Sequence, residues 1–150
     1  MRYSLLFSII LLAFVSCNKN KYNSIPSLTY KSVSTNIIRN QGQITFTLAF
    51  TDAEGDLFPD SALFVQEKVL NCNLSTAGFA KQYYKLPAFP TTKNQDGNLL
   101  VTYGYNLSSG QNLTAPACSK NDTAVFRFVL RDQANHHSDT AVSDKVVVVF

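Results

Sequence analysis

Apolar and polar side chains alternate along most of this chain, and that period of two constrains its fold more than any other feature. In QITFTLAFT, residues 43–51, Ile44, Phe46, Leu48 and Phe50 fall on one side and Thr45, Thr47, Ala49 and Thr51 on the other. Successive strand residues point to opposite faces, so the stretch reads as a strand with one buried face. TAVFRFVLRD, residues 123–132, sets Phe126, Phe128 and Leu130 against Val125, Arg127 and Val129. NLLVTYGYN, residues 98–106, puts Leu99, Val101, Tyr103 and Tyr105 together, and KVVVVF closes the chain with β-branched residues. Weaker strands are predicted over 28–38, 62–70 and 81–86. The turn formers RNQG, AEGD, NQDG, SSGQN and RDQANHHSD separate them. A short helical turn is predicted near 73–80, and no segment carries a helical apolar period with caps. Seven strands at this spacing predict an all-β chain: one antiparallel β-sandwich of immunoglobulin-like type over residues 28–150.

The N-terminal residues are of another kind. Arg2 precedes the apolar run LLFSIILLAFV, residues 5–15, and Ser16 and Cys17 follow. The run has the length of a secretory leader and is short for a membrane span. Cysteine directly after a small residue at the cleavage point resembles the lipobox of bacterial lipoproteins, with Phe14 where leucine is commonest. That resemblance implies a leader over 1–16 and a lipid-carrying Cys17; a plain secreted protein that discards Cys17 is the other reading. Several acyl chains hold a protein at a membrane where one does not. The rest of residues 17–27, beginning NKNKYNS, is polar and reads as a tether. Lys and Arg total 13 against 10 Asp and Glu, with no basic cluster, so nothing points to nucleic acid. Export would place Cys72 and Cys118 in an oxidising compartment. A disulfide between them would stabilise the fold by about 4 kcal/mol in the chain-entropy model. Two separate thiols are the alternative.

Three landmarks occur in order: FTDAEGDL at 50–57, YYKLPAFP at 83–90, and FRFVLRDQANHHSDTAVSDKVVVVF at 126–150. Their order resembles a group of small Bacteroidetes lipoproteins that carry a D-G-D-G-D loop, a Y-x-L-P stretch and D-R-A-G-N-x-S-N before a last strand. The resemblance runs from about residue 40 onward and implies an immunoglobulin-like fold and outer-membrane location; its motifs say little about activity. The loop pattern stands here as Asp52-Ala53-Glu54-Gly55-Asp56, and the later one as Asp132-Gln133-Ala134-Asn135-His136. Asn135 replaces a glycine, and asparagine is the next best residue at positive φ. His136 replaces the asparagine of the pattern, so no ligand role carries over to that position.

In an immunoglobulin-like sandwich the loops after the second strand and before the last lie at one end. Asp52, Glu54, Asp56 and Asp60 are therefore expected near Asp132 and Asp139. Calcium takes six to eight oxygens, many from carboxylates, so Asp52, Glu54, Asp56 and Asp132 form the candidate set. An EF-hand is excluded, because Leu57 holds the place of its glycine and Leu63 that of its bidentate glutamate. Turn-forming aspartates that bond their own backbone are the competing reading.

Other candidates are weaker. His136 and His137 could take a transition metal only across a bent loop, since strand neighbours face opposite ways. Tyr83, Tyr84, Phe89, Tyr103 and Tyr105 read either as an exposed stacking row or as half-buried core. Ser61, Thr123 and Thr140 each follow an aspartate and precede an alanine. They resemble the Asp-Ser/Thr acceptor of Bacteroidetes O-glycosylation, with turn chemistry as the alternative. No nucleophile elbow, zinc-protease helix or Cys-His pair is present, and no enzyme is expected. The expectation is a monomeric, lipid-anchored outer-membrane module that binds a protein or glycan partner, with calcium as its candidate ion. An accessory subunit of an envelope complex with no small ligand is the alternative, and a hydrolase comes third.

Overall fold

The structure is a computed structural model, and it describes residues 21–57, 60–71, 81–87, 90, 92–113, 116 and 119–150. Cys17, Cys72, Cys118, Phe89, the leader and the helical turn expected at 73–80 lie outside the described residues. Nine strands and no helix occur among those described: β1 (Ser27–Val33), β2 (Ile37–Ile38), β3 (Gln43–Asp52), β4 (Leu63–Val69), β5 (Gln82–Tyr84), β6 (Gln95–Gly104), β7 (Asp122–Leu130), β8 (Ala141–Val142) and β9 (Val146–Val148). They form two sheets. One has the order β1-β3-β6; the other runs β2-β9-β7-β4-β5, with β8 also on β7.

The alternation does what the sequence requires. Along β3, Ile44, Phe46, Leu48 and Phe50 are buried while the residues between them are half-buried. Along β7, Ala124, Phe126, Phe128 and Leu130 are buried. Each strand belongs to a different sheet, so the two inner faces meet through their phenylalanines. The Phe46 ring lies 4.5 Å from Phe126, 5.4 Å from Phe128 and 6.3 Å edge-on from Tyr103. Such tilted aromatic pairs add to the burial of large apolar surfaces. The tyrosine question resolves toward core. Tyr103 and Tyr105 are buried, Tyr84 is half-buried with its hydroxyl donating to Tyr103 at 2.9 Å, and Tyr83 is exposed against Phe64.

Two expectations need correction. The single strand predicted at 28–38 breaks at Ser34-Thr35-Asn36. The Thr35 hydroxyl accepts the Ile37 amide at 3.2 Å, the local side-chain bonding that turns a chain out of a ladder. The chain then changes sheet: β1 pairs with β3, and β2 pairs with β9. The second correction is direction. β2 and β9 run parallel, so the sandwich is not wholly antiparallel, and the strand count exceeds seven.

Two ladders define one end of the molecule. β3 and β6 pair antiparallel from Gln43↔Gly104 to Asp52↔Gln95. β4 and β7 pair from Leu63↔Leu130 to Val69↔Ala124. The Leu57–Asp132 bridge joins the chain just past β3 to the chain just past β7, so the last residue of β3, the first of β4 and the last of β7 share one pole. Phe46 is fully buried between the sheets, so Phe46→Ala is expected to lower unfolding free energy by about 3–5 kcal/mol in urea denaturation, with the same strand content by circular dichroism.

Candidate functional site

The parity that fills the core also drives two charges into it. Asp52 continues the inward series of β3, directly after Phe50. Asp132 continues the inward series of β7, two residues past Leu130. Asp52 is 0% and Asp132 2% exposed. Asp56 follows on the loop that leaves β3, and each of the three aspartates offers a carboxylate oxygen within 4.8 Å of the others. The pole expected to gather these loops does so.

The loop geometry explains how Asp56 arrives. Asp52 Oδ2 accepts the Gly55 amide at 2.6 Å and the Asp56 amide at 3.2 Å, closing the chain back on the strand end. Gly55 has φ +68°, and a Cβ there would meet the Thr92 carbonyl oxygen at 2.0 Å. Only glycine fits so tight a left-handed position. The Gln133 amide then donates to the Asp56 carbonyl at 3.0 Å, and Leu57 bridges to Asp132.

Asp132 is held from its own turn. The Asn135 amide donates to the Asp132 carbonyl at 3.2 Å with Asn135 at φ +68°, the left-handed position for which asparagine is suited. This folds His136 back. Its amide donates to Asp132 Oδ1 at 2.7 Å, and its ring Nδ1 lies 2.8 Å from Asp132 Oδ2. Hydrogen bonds to a carboxylate from outside orient it toward whatever it binds inside. His136 thus grips an aspartate, and the shared metal with His137 finds no support: His137 bridges back to Arg131.

The electrostatics are unfavourable for three carboxylates left to themselves. Burial pushes the Asp52 carboxyl above the ordinary carboxylate value; the Gly55 and Asp56 amides oppose the rise, and the charges of Asp56 and Glu54 add to it. Asp56 is raised by burial first and by the charge of Asp132 next, with His136 opposing. Asp52 Oδ1 and Asp56 Oδ1 are both buried and have no hydrogen-bond partner in the protein. Buried polar atoms are rarely left so, because each forfeits its hydration with nothing in exchange.

The remaining candidates lie elsewhere. Glu54 is exposed and accepts the Ser24 hydroxyl at 2.8 Å, outside the carboxylate group. Asp60 is exposed and pairs with Lys85 at 2.8 Å, and Asp139 is exposed. Of the glycan candidates, Thr140 is exposed between β7 and β8, whereas Ser61 and Thr123 are half-buried. An apolar groove of about 530 Å³ follows edge strand β6, lined by Leu63, Tyr84, Leu86, Leu99 and Val101, with Lys85, the partner of Asp60, also on its wall. Comparison with family models, with curated proteins and with solved structures gives no match.

The raised Asp52 and Asp56 values give a pH dependence with a definite sign. The folded state holds these protons more tightly than the unfolded chain. In chelator, stability is therefore highest below the ordinary carboxylate value and falls as pH rises through the raised folded values. Asp52→Asn keeps an acceptor for the two loop amides and removes one charge. It is expected to flatten that decline and to raise the melting temperature in EDTA at pH 7, as read by differential scanning calorimetry.

Proposed function

We propose that this chain is a lipid-anchored, immunoglobulin-like module of the bacterial outer membrane whose loop pole binds calcium. The observation that carries the cation is the convergence of Asp52, Asp56 and Asp132, with Asp52 Oδ1 buried and unpartnered among them. A cation supplies what that oxygen lacks and offsets the mutual repulsion of the three charges. The donor set is all oxygen, which suits a hard ion. With Oδ2 of Asp52 already engaged by amides, each aspartate contributes about one oxygen, and water completes the shell. The site is buried, so its work is to lock the loops that shape one pole rather than to present the ion to a ligand.

Several observations support the rest of the reading. Two facing sheets with inward alternation, and the order β9-β7-β4 in one of them, support an immunoglobulin-like sandwich. The leader-like residues 1–16 and Cys17 support anchorage, and the landmarks shared with Bacteroidetes lipoproteins support the outer membrane. Edge strand β6 with its apolar groove supports a protein or glycan partner. Thr140 is the best exposed of the glycan acceptors. The module is non-catalytic, and a disulfide between Cys72 and Cys118 would pin the middle loops. The alternative, an accessory subunit with no small ligand, is favoured by one feature: Asp52 and Asp132 also close their own turns.

Calorimetric melting separates the two. Free calcium at about a hundredfold its dissociation constant is expected to stabilise the fold by about 2.7 kcal/mol relative to EDTA. Asp132→Asn is expected to abolish that gain. Identical melting with calcium and with EDTA supports the accessory subunit.

A further inference from the structure

A third buried oxygen at this pole has no hydrogen-bond partner in the protein: the side-chain amide oxygen of Gln95. Gln95 opens β6 and is paired directly with Asp52 in the β3–β6 ladder. Directly paired residues point to the same side of a sheet, with Cβ atoms roughly 4.5–5.5 Å apart. The inward series of β6 runs through Leu99, Val101 and Tyr103, and Gln95 has their parity. Its side chain therefore lies on the same face of the sheet as the Asp52 carboxylate. A Cβ on Gly55 would lie 3.1 Å from the Gln95 amide carbon, and the Gly55 amide itself donates to Asp52. The amide thus rests against the same loop that wraps the carboxylates. Its nitrogen is committed to the neighbouring segment, donating to the Pro90 carbonyl and lying 3.4 Å from the Thr92 hydroxyl. With the nitrogen fixed on that side, the oxygen takes the other.

We propose that the Gln95 amide oxygen is a fourth protein ligand of the divalent cation held by Asp52, Asp56 and Asp132. This rests on the calcium reading of the three carboxylates and extends it. Side-chain amide oxygens are ordinary ligands of calcium. A neutral fourth oxygen raises the coordination number without adding a charge to a site that already holds three. It also ties the ion to both strands of the β3–β6 end, so that the cation closes a ladder as well as a loop.

The test compares Gln95→Met, which keeps the length and removes the oxygen, with Gln95→Glu, which keeps an oxygen and removes the donor to Pro90 and Thr92. Calcium affinity is read by isothermal titration on the whole protein, and inner-sphere water by the luminescence lifetime of europium in light and heavy water. Gln95→Met is expected to weaken calcium about tenfold and to admit about one more bound water. Gln95→Glu is expected to bind calcium at least as tightly as the wild type, with unchanged hydration. Melting in EDTA reports the loss of the loop tether alone, so a Gln95→Met protein that folds poorly leaves Gln95→Glu to decide. Wild-type affinity and hydration in Gln95→Met, or equal weakening in both variants, overturns the fourth ligand while the three aspartates stand. A wild-type protein that binds no calcium overturns the carboxylate reading first, and this assignment with it.

Discussion

Strand parity is the constraint on which the rest depends. A strand that buries every second side chain has no freedom to expose the next residue of the same parity while the ladder continues. β3 buries Ile44, Phe46, Leu48 and Phe50, and its pairing with β6 persists through Asp52. Asp52 is thereby carried to 0% exposure. β7 delivers Asp132 by the same rule from the other sheet. The apolar core places the charges, and its stability has to outweigh their desolvation.

That arrangement makes the loop over residues 53–56 a junction. The Ala53 amide donates to the Asn23 carbonyl at 3.2 Å and the Ala53 carbonyl accepts the Asn94 amide at 2.8 Å. Glu54 holds Ser24, and Gly55 packs against Thr92. Lys21 and Tyr22 bond Asp96 at 2.7 and 2.9 Å, one residue beyond Gln95. The chain thus joins the fold at the pole where the carboxylates meet. These surface bonds are individually weak. The buried Asp52 carboxylate beneath them orders the Gly55 and Asp56 amides of the same loop.

Much of this was legible beforehand, and what was not has physical reasons. Phe46, Phe126 and Phe128 declare their strands because alternation is local. The shared pole of Asp52 and Asp132 followed from sandwich connectivity, and their inward parity could have been read directly from Phe50 and Leu130. Glu54 looked equivalent to its neighbours in a run of acids. Its odd placement between Asp52 and Asp56 turns it outward to Ser24, a partner thirty residues away that no local pattern reveals. The break at Thr35 was hidden because a side-chain hydroxyl bonded to the Ile37 amide and carbonyl, not a glycine or proline, diverts the chain. Gln95 was invisible for the opposite reason: its neighbour Asp52 is set by ladder register alone.

The most direct measurement is a crystal structure of the protein grown with manganese in place of calcium, with diffraction collected at the manganese edge. The expected result is one strong anomalous peak within coordination distance of Asp52, Asp56 and Asp132, absent from crystals of Asp52→Asn. A map with no anomalous peak among these three carboxylates, under conditions where the ion is abundant, would contradict the account.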